Sequence, residues 1–233
     1  MKYAYLAWVA LLGIAWLVVY LSKKGLRGKI LLSSLVALPF GFGELYYFSN
    51  YWTPQTLFDL GLRYHLSVES FFLMFFLGGT AAFVYESVFK EKYPLKEKVC
   101  GKVCKCNWSF ISALVLFILL LKLFPKANII YPSSFATLGA GLVAFIIYPH
   151  LRKHVVFGGV LYMTFYGISL LIIELFFPGW IGATWNLELL SGILVFGVPA
   201  EELLFGFAFG TFWAPLYEEV CGRMKKLSYR ELR

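Results

Sequence analysis

Long apolar runs alternate with short polar loops along the chain. A helix needs about 20 mostly apolar residues to cross a bilayer. Seven runs approach that length: 3–21, 29–48, 67–89, 108–124, 129–149, 155–177 and 199–217. Lys122, Pro125 and Lys126 divide the fourth run from the fifth. The pattern predicts an all-α fold, a polytopic membrane helical bundle of about seven transmembrane helices. Composition agrees. The 233 residues are 60% hydrophobic and 15% charged, against about 45–50% and about 25% in an ordinary soluble domain. That much apolar surface cannot be hidden in a soluble fold of this size, which excludes a cytosolic enzyme, a nucleic-acid binder and a disordered chain.

The net charge of +8 is a topology signal, because cytoplasmic loops collect Lys and Arg. Loop 22–28 with the start of the second run holds Lys23, Lys24, Arg27 and Lys29. Loop 90–107 holds Lys90, Lys92, Lys96, Lys98, Lys102 and Lys105. Arg152 and Lys153 follow the fifth run, and the tail carries Arg223, Lys225, Lys226, Arg230 and Arg233. The other side has Lys2, Arg63, Lys122 and Lys126. This asymmetry predicts a multi-pass cell-membrane protein with its N-terminus outside and its C-terminus cytoplasmic. Run 3–21 has a weak basic start and no small-residue cleavage site, so it reads as a span rather than a cleaved leader. Loop 90–107 reads as a solvated linker, leaving residues 1–233 as a single integral membrane domain.

Cys100, Cys104, Cys106 and Cys221 all fall on the inner side. Their C-x3-C-x-C spacing does not match zinc knuckles, and reduced cytosolic thiols are the simpler reading. His150 and His154 flank a short polar loop and make a poor metal pair. H-E-x-x-H, P-loop and G-x-S-x-G motifs are missing. Gly41-Phe42-Gly43 lacks the third glycine of a dinucleotide fingerprint. No metal or cofactor is expected.

Two stretches copy each other at an offset of 132. Glu69 to Gly78, ending at Tyr85-Glu86, matches Glu201 to Gly210, ending at Tyr217-Glu218. Upstream, Glu44-Leu-Tyr-Tyr matches Glu174-Leu-Phe-Phe. The copies, about 1–89 and 129–220, each hold three spans and point the same way. They form a parallel repeat about an axis along the membrane normal, linked by loop 90–107 and the extra span 108–124.

Carboxylates inside a span cost about 2.5–3.5 kcal/mol on insertion scales and mark function. Glu69 and Glu86 are about 25 Å apart along a helix, so Glu69 lies toward the outside and Glu86 toward the inside. The same holds for Glu201 and Glu218. Glu44, Glu69, Glu174 and Glu201 are expected to share one layer in the outer half, gathered by the repeat axis around a pocket, with Glu202 turned about 100° from Glu201. The alternative for Glu69 and Glu201 is an N-terminal helical turn, where acids satisfy free amides. Glu86, Glu218 and Glu219 read as inner-interface acids beside the basic loops. Tyr46, Tyr47, Tyr51, Trp52, Phe176, Phe177, Trp180 and Trp185 crowd the outer layer, as a belt or as ring faces that stabilise a cation. Phe72, Phe76 and Phe205, on the acid-bearing runs, join Trp52, Trp180 and Trp185 as candidate substrate-binding residues. Clustered carboxyls in low dielectric do not all ionise. A protonated acid beside a conjugate base, in an apolar site, suits redox-neutral acid–base work on an alkene.

Pro199-Ala200-Glu201-Glu202-Leu203-Leu204-Phe205 resembles the P-x-E-E/D signature of the membrane lycopene cyclases of archaea, fungi and some bacteria. Trp52-Thr53-Pro54, then Phe58-Asp59-Leu60-Gly61 and Glu69, is similar to bacterial members. The chain resembles the fused, duplicated form of that family over nearly its whole length. The resemblance implies cyclisation of lycopene end groups to β-ionone rings, with catalytic acids at Glu201 and Glu202 and with Glu69 as the matching acid of the first copy. Glu44 and Glu174 complete the candidate catalytic set. The first copy reads Ser67-Val68-Glu69-Ser70 and lacks both the proline and the second acid. The implied partners are a hydrophobic isoprenoid substrate and the lipid bilayer, with a homo-oligomer left open.

Two other classes compete. Glu201-Glu-Leu-Leu-Phe205 also resembles the first motif of CAAX-type intramembrane proteases. Gly206 stands where that motif has Arg, and His65, His150 and His154 all read as loop residues. A proton-coupled transporter of a hydrophobic solute also uses repeats and buried acids, but here the acids lie toward one face. A retinal protein is disfavoured because run 199–217 has no lysine for a Schiff base.

Overall fold

A computed structural model describes residues 1–48, 50–89 and 107–230, the last with side chains as far as Glu219. Loop 90–106, with Cys100, Cys104 and Cys106, and the side chain of Cys221 lie outside the described residues. Each predicted apolar run becomes a helix: α1 (Ala4–Ser22), α2 (Arg27–Ala37), α3 (Val68–Val88), α4 (Trp108–Leu123), α5 (Ile130–Ile147), α6 (Arg152–Phe176) and α7 (Ala200–Arg230). Among the described residues, five helical stretches are long and apolar enough to cross a membrane: Ala4–Ser22, Lys24–Tyr47, Val68–Val88, Ile130–Ile147 and Pro149–Phe176. The sixteen residues of α4 form a shorter apolar helix. The protein is an all-α, multi-pass membrane bundle.

Two helices organise the packing. α3 lies against α2 and α1, while α7 lies against α6 and α5. Both contacts depend on glycine. A Cβ on Gly78 would stand 2.8 Å from the Ser33 carbonyl oxygen of α2, and one on Gly210 would stand 2.6 Å from the Gly158 carbonyl oxygen of α6. Small residues let helices approach closely where lipid supplies no hydrophobic drive between them.

The second span is not one regular helix. Pro39 removes an amide donor, and the chain tightens into a 3₁₀ segment, Leu38–Gly43, before one further turn, Glu44–Tyr47. Glu44 therefore opens a short turn near the end of the run 29–48.

Sequence patterning missed the short elements between the runs, among them the helices Leu60–Tyr64 and Trp180–Thr184 and a hairpin. β1 (Leu194–Val195) and β2 (Val198–Pro199) form an antiparallel hairpin leading into α7. Its turn residues Phe196 and Gly197 both have positive φ, 53° and 88°, which matches the twist required by a two-residue hairpin.

The end of the bundle where Lys29 lies differs from expectation in two respects. Lys29, counted with the loop cations at the start of the second run, is 3% exposed, with Nζ 2.5 Å from Glu86 and 2.6 Å from Glu218. A buried ammonium is retained only when paired, and these carboxylates pair it. His154 was read as a loop residue, yet it lies in α6, 1% exposed, with its ring centroid 3.9 Å from that of Tyr85.

Candidate active site

Two loops, one from each half of the chain, close the end of the bundle opposite Lys29. The segment after Glu44–Tyr47 meets the segment after the short helix Trp180–Thr184 in an antiparallel bridge between Trp52 and Trp185. Thr53 N–H donates to the Thr184 carbonyl at 2.7 Å, and Asn186 N–H donates to the Tyr51 carbonyl at 2.9 Å. This pairing satisfies backbone groups that lipid could not. It also fixes the directions in which Tyr51, Trp52 and Trp185 point.

Tyr51 and Trp185 point at Glu202. Tyr51 and Tyr166 each donate a short phenolic hydrogen bond to its carboxylate, one to each oxygen. Trp185 Nε1 donates to Oε1 at 2.8 Å. Glu202 is 3% exposed. Three donors on one buried carboxylate stabilise its charged form after a proton has left. Tyr166, supplied by α6, was not among the sequence candidates. In an apolar helix rich in aromatics, only contact with an acid distinguishes it.

Beneath this cage lies a cavity of about 590 Å³. Its walls are aromatic and aliphatic, including Trp8, Phe40, Phe205, Phe209 and Trp213. Among the described residues, two acids line it: Glu202 from α7 and Glu44 from the broken second span. Glu44, 4% exposed, accepts from Ser67 N–H at 2.5 Å and from Ser67 Oγ at about 3 Å. The Ser67 hydroxyl continues to Ser70 Oγ at 3.1 Å and from there to the Tyr5 hydroxyl at 2.7 Å. Ser70, which the 132-residue offset aligns with Glu202, lines the same cavity.

The other candidate acids do not line the cavity, so the expected common pocket of four acids does not form. Glu201 accepts from Tyr131 Oη at 2.6 Å and from Ser191 N–H at 2.8 Å. Glu69 accepts from Leu57 N–H at 2.5 Å. Glu174 accepts from Gly179 and Ile181 N–H at 2.6 and 2.8 Å. Each holds the loop beside it. Apart from the Tyr131 phenol of α5, these partners are amides of neighbouring loops.

The aromatic candidates divide in the same way. Trp52, Trp185 and Phe205 line the cavity. Trp180 is buried behind it, between Trp8 and Trp185, with ring centroids 5.8 and 5.1 Å away. Phe76 packs on Trp16 at 6.1 Å. Phe72 is exposed on the bundle's outer surface.

At the opposite end of the bundle, ligand atoms of Glu86, His154 and Glu218 lie within 4.8 Å of one another. The Lys29 ammonium already bonds both carboxylates, so this group has an internal cation.

The fold and site together define a class: a multi-pass helical membrane protein enclosing an apolar, aromatic-lined cavity with carboxylates on its wall. Residues 128–220 match the family model described as lycopene cyclase, in agreement with the resemblance carried by Pro199 to Phe205. The matched stretch contains Tyr131, Tyr166, Trp185, Glu201 and Glu202 and supports carotenoid cyclisation in general terms. No curated protein and no solved structure matches the chain significantly.

Proposed function

We propose that the protein cyclises the linear end group of a lycopene-like carotenoid to a β-ionone ring by intramembrane acid–base chemistry, as an intramolecular lyase or isomerase. The supporting observation is Glu202, a buried carboxyl on an aromatic cavity wall, held by three donors inside the matched stretch. Protonated Glu202 gives its proton to the CH carbon of the terminal double bond, leaving a tertiary cation. The internal double bond attacks that cation, one carbon–carbon bond forms and the ring closes. The charge moves to the far carbon of the attacking bond. Loss of a ring proton to Glu44 restores a double bond. One proton enters and one leaves, with no electron gained or lost.

The cavity walls suit this sequence. Tyr51, Tyr166 and Trp185 stabilise the Glu202 carboxylate. Ring faces of Trp52, Trp185, Phe205 and Trp213 attract the passing cation, each worth about 2 kcal/mol when desolvated. The dry, apolar wall keeps water from trapping the cation as an alcohol. Glu69, Glu174 and Glu201 serve as positioning residues that hold the loops over the site.

The same reading takes the two halves as parallel copies, with the N-terminus outside and the tail cytoplasmic. The matched roles of Gly78 and Gly210 and of Glu86 and Glu218 support it. The test is expression in a lycopene-accumulating bacterium, with pigments separated by chromatography. Cyclic carotenoids are expected. Unchanged lycopene, with the protein verified in the membrane, would overturn the proposal.

A further inference from the structure

One side wall of the cavity also reaches the surface of the bundle. That wall is made by the 3₁₀ segment Leu38–Gly43 and the turn Glu44–Tyr47 on one side, and by α4 with the start of α5 on the other. Lining residues here also reach the lipid-facing surface: Phe42 is 54% exposed, Tyr46 68% and Leu114 55%. The same residues thus face both the cavity and the bilayer.

α4 is the loosest part of this wall. It packs on α5, and Ser109 is its only fully buried residue. Aromatic contacts hold its inner end: Phe110 lies 6.2 Å from Phe40 and 6.2 Å from Phe212, centroid to centroid. Toward its other end, Leu114 and Phe117 line the cavity, and among the described residues no aromatic pair joins this part of α4 to the second span. On the opposite side, Pro39 and the 3₁₀ geometry remove a continuous helical ridge with which α4 could interdigitate.

A polyene hydrocarbon partitions into the hydrocarbon layer, so its route to a buried acid runs through the protein's side. We infer that the seam between Leu38–Tyr47 and α4 is a lateral portal. Through it an acyclic isoprenoid hydrocarbon enters end-first from the bilayer, while the rest of its chain stays in lipid. Phe117 and Thr137 line its path and Phe40–Phe110 marks its closed inner edge. The inference rests on the cyclase reading for the identity of the occupant, and its test reads binding separately from turnover.

A diazirine-bearing phenylalanine analogue is placed at Phe117 or at Val115, in membranes of a lycopene-accumulating bacterium. Val115 is on the same helix, 57% exposed, and turned roughly 200° away. After irradiation, intact-protein mass spectrometry counts lycopene adducts. Position 117 is expected to exceed position 115 at least fivefold, and Thr137→Trp should remove that excess and cut conversion at least tenfold. Equal labelling at the two positions, or full conversion and labelling with Thr137→Trp in place, would overturn the portal. Selective labelling at 117 without any cyclic product would support the portal while removing the cyclase chemistry. An unchanged thermal midpoint of Thr137→Trp in detergent, with membrane levels equal to the parent, controls for loss of folding.

Discussion

Glu86 and Glu218, 132 positions apart in the sequence, share one cation: the Lys29 ammonium lies 2.5 Å from the first and 2.6 Å from the second. The three side chains come from α2, α3 and α7, so the contact joins the first part of the chain to the last. A buried pair adds little over an apolar substitute, but breaking one by removing a partner costs about 3–5 kcal/mol. Lys29→Met should therefore lower the thermal midpoint in detergent sharply, because two carboxylates lose their counter-charge. Adding Glu86→Gln and Glu218→Gln to Lys29→Met should recover much of that loss. A triple variant no more stable than Lys29→Met would show that the ammonium contributes packing rather than charge balance.

Glu201 and Glu202 are neighbours in sequence with different surroundings. The first holds the Ser191 loop and the second faces the cavity. Glu202→Gln should abolish pigment conversion with the protein still inserted. Glu201→Gln should retain measurable conversion at reduced yield, since it weakens a loop and leaves the cavity acid intact. Glu44→Gln should also stop turnover, because the ring proton then has no acceptor. The assay is carotenoid analysis at matched protein levels. The reverse ranking of Glu201→Gln and Glu202→Gln would move the acid to Glu201.

The helices were readable because a 20-residue apolar run has few alternatives in a membrane protein. The alignment of Gly78 with Gly210 was readable from the 132-residue offset, and both stand at close helix contacts. The choice between Glu201 and Glu202 was not readable. One residue turns a side chain by about 100°, and the repeat aligned Glu69 with Glu201, both of which hold loops in the structure. Tyr166 was missed because a hydroxyl in an aromatic-rich helix gives no signal until a neighbour from α7 supplies its acceptor. Lys29 and His154 lie beside basic loop residues, so their burial depends on packing partners from other helices.

The glycines give a stability test independent of chemistry. A Cβ at residue 210 would come within 2.6 Å of the Gly158 carbonyl oxygen, and one at residue 78 within 2.8 Å of the Ser33 carbonyl oxygen. Both obstacles are backbone and cannot rotate aside. Overpacking of this kind costs about 1–3 kcal/mol. Gly78→Ala and Gly210→Ala should each lower the thermal midpoint, whereas Gly182→Ala, with open space around its Cβ, should leave it unchanged. Similar midpoints for all three would mean that the helices separate at little cost.

The phenols on Glu202 can be tested one at a time. Tyr51 bonds Oε1, which Trp185 also bonds, whereas Tyr166 is the donor recorded on Oε2. Removing Tyr51 leaves Oε1 with a second donor. Removing Tyr166 leaves Oε2 buried with none. A hydrogen bond to a charged group contributes about 1.5–3 kcal/mol, equivalent to about 10- to 100-fold in rate. Tyr166→Phe should therefore slow conversion more than Tyr51→Phe, and the double variant should lose more than either. Single-turnover rates in membranes, with bound substrate quantified separately, distinguish this from weakened binding. Equal small effects from both variants would mean that the phenols support the fold without stabilising the carboxylate that forms during the reaction.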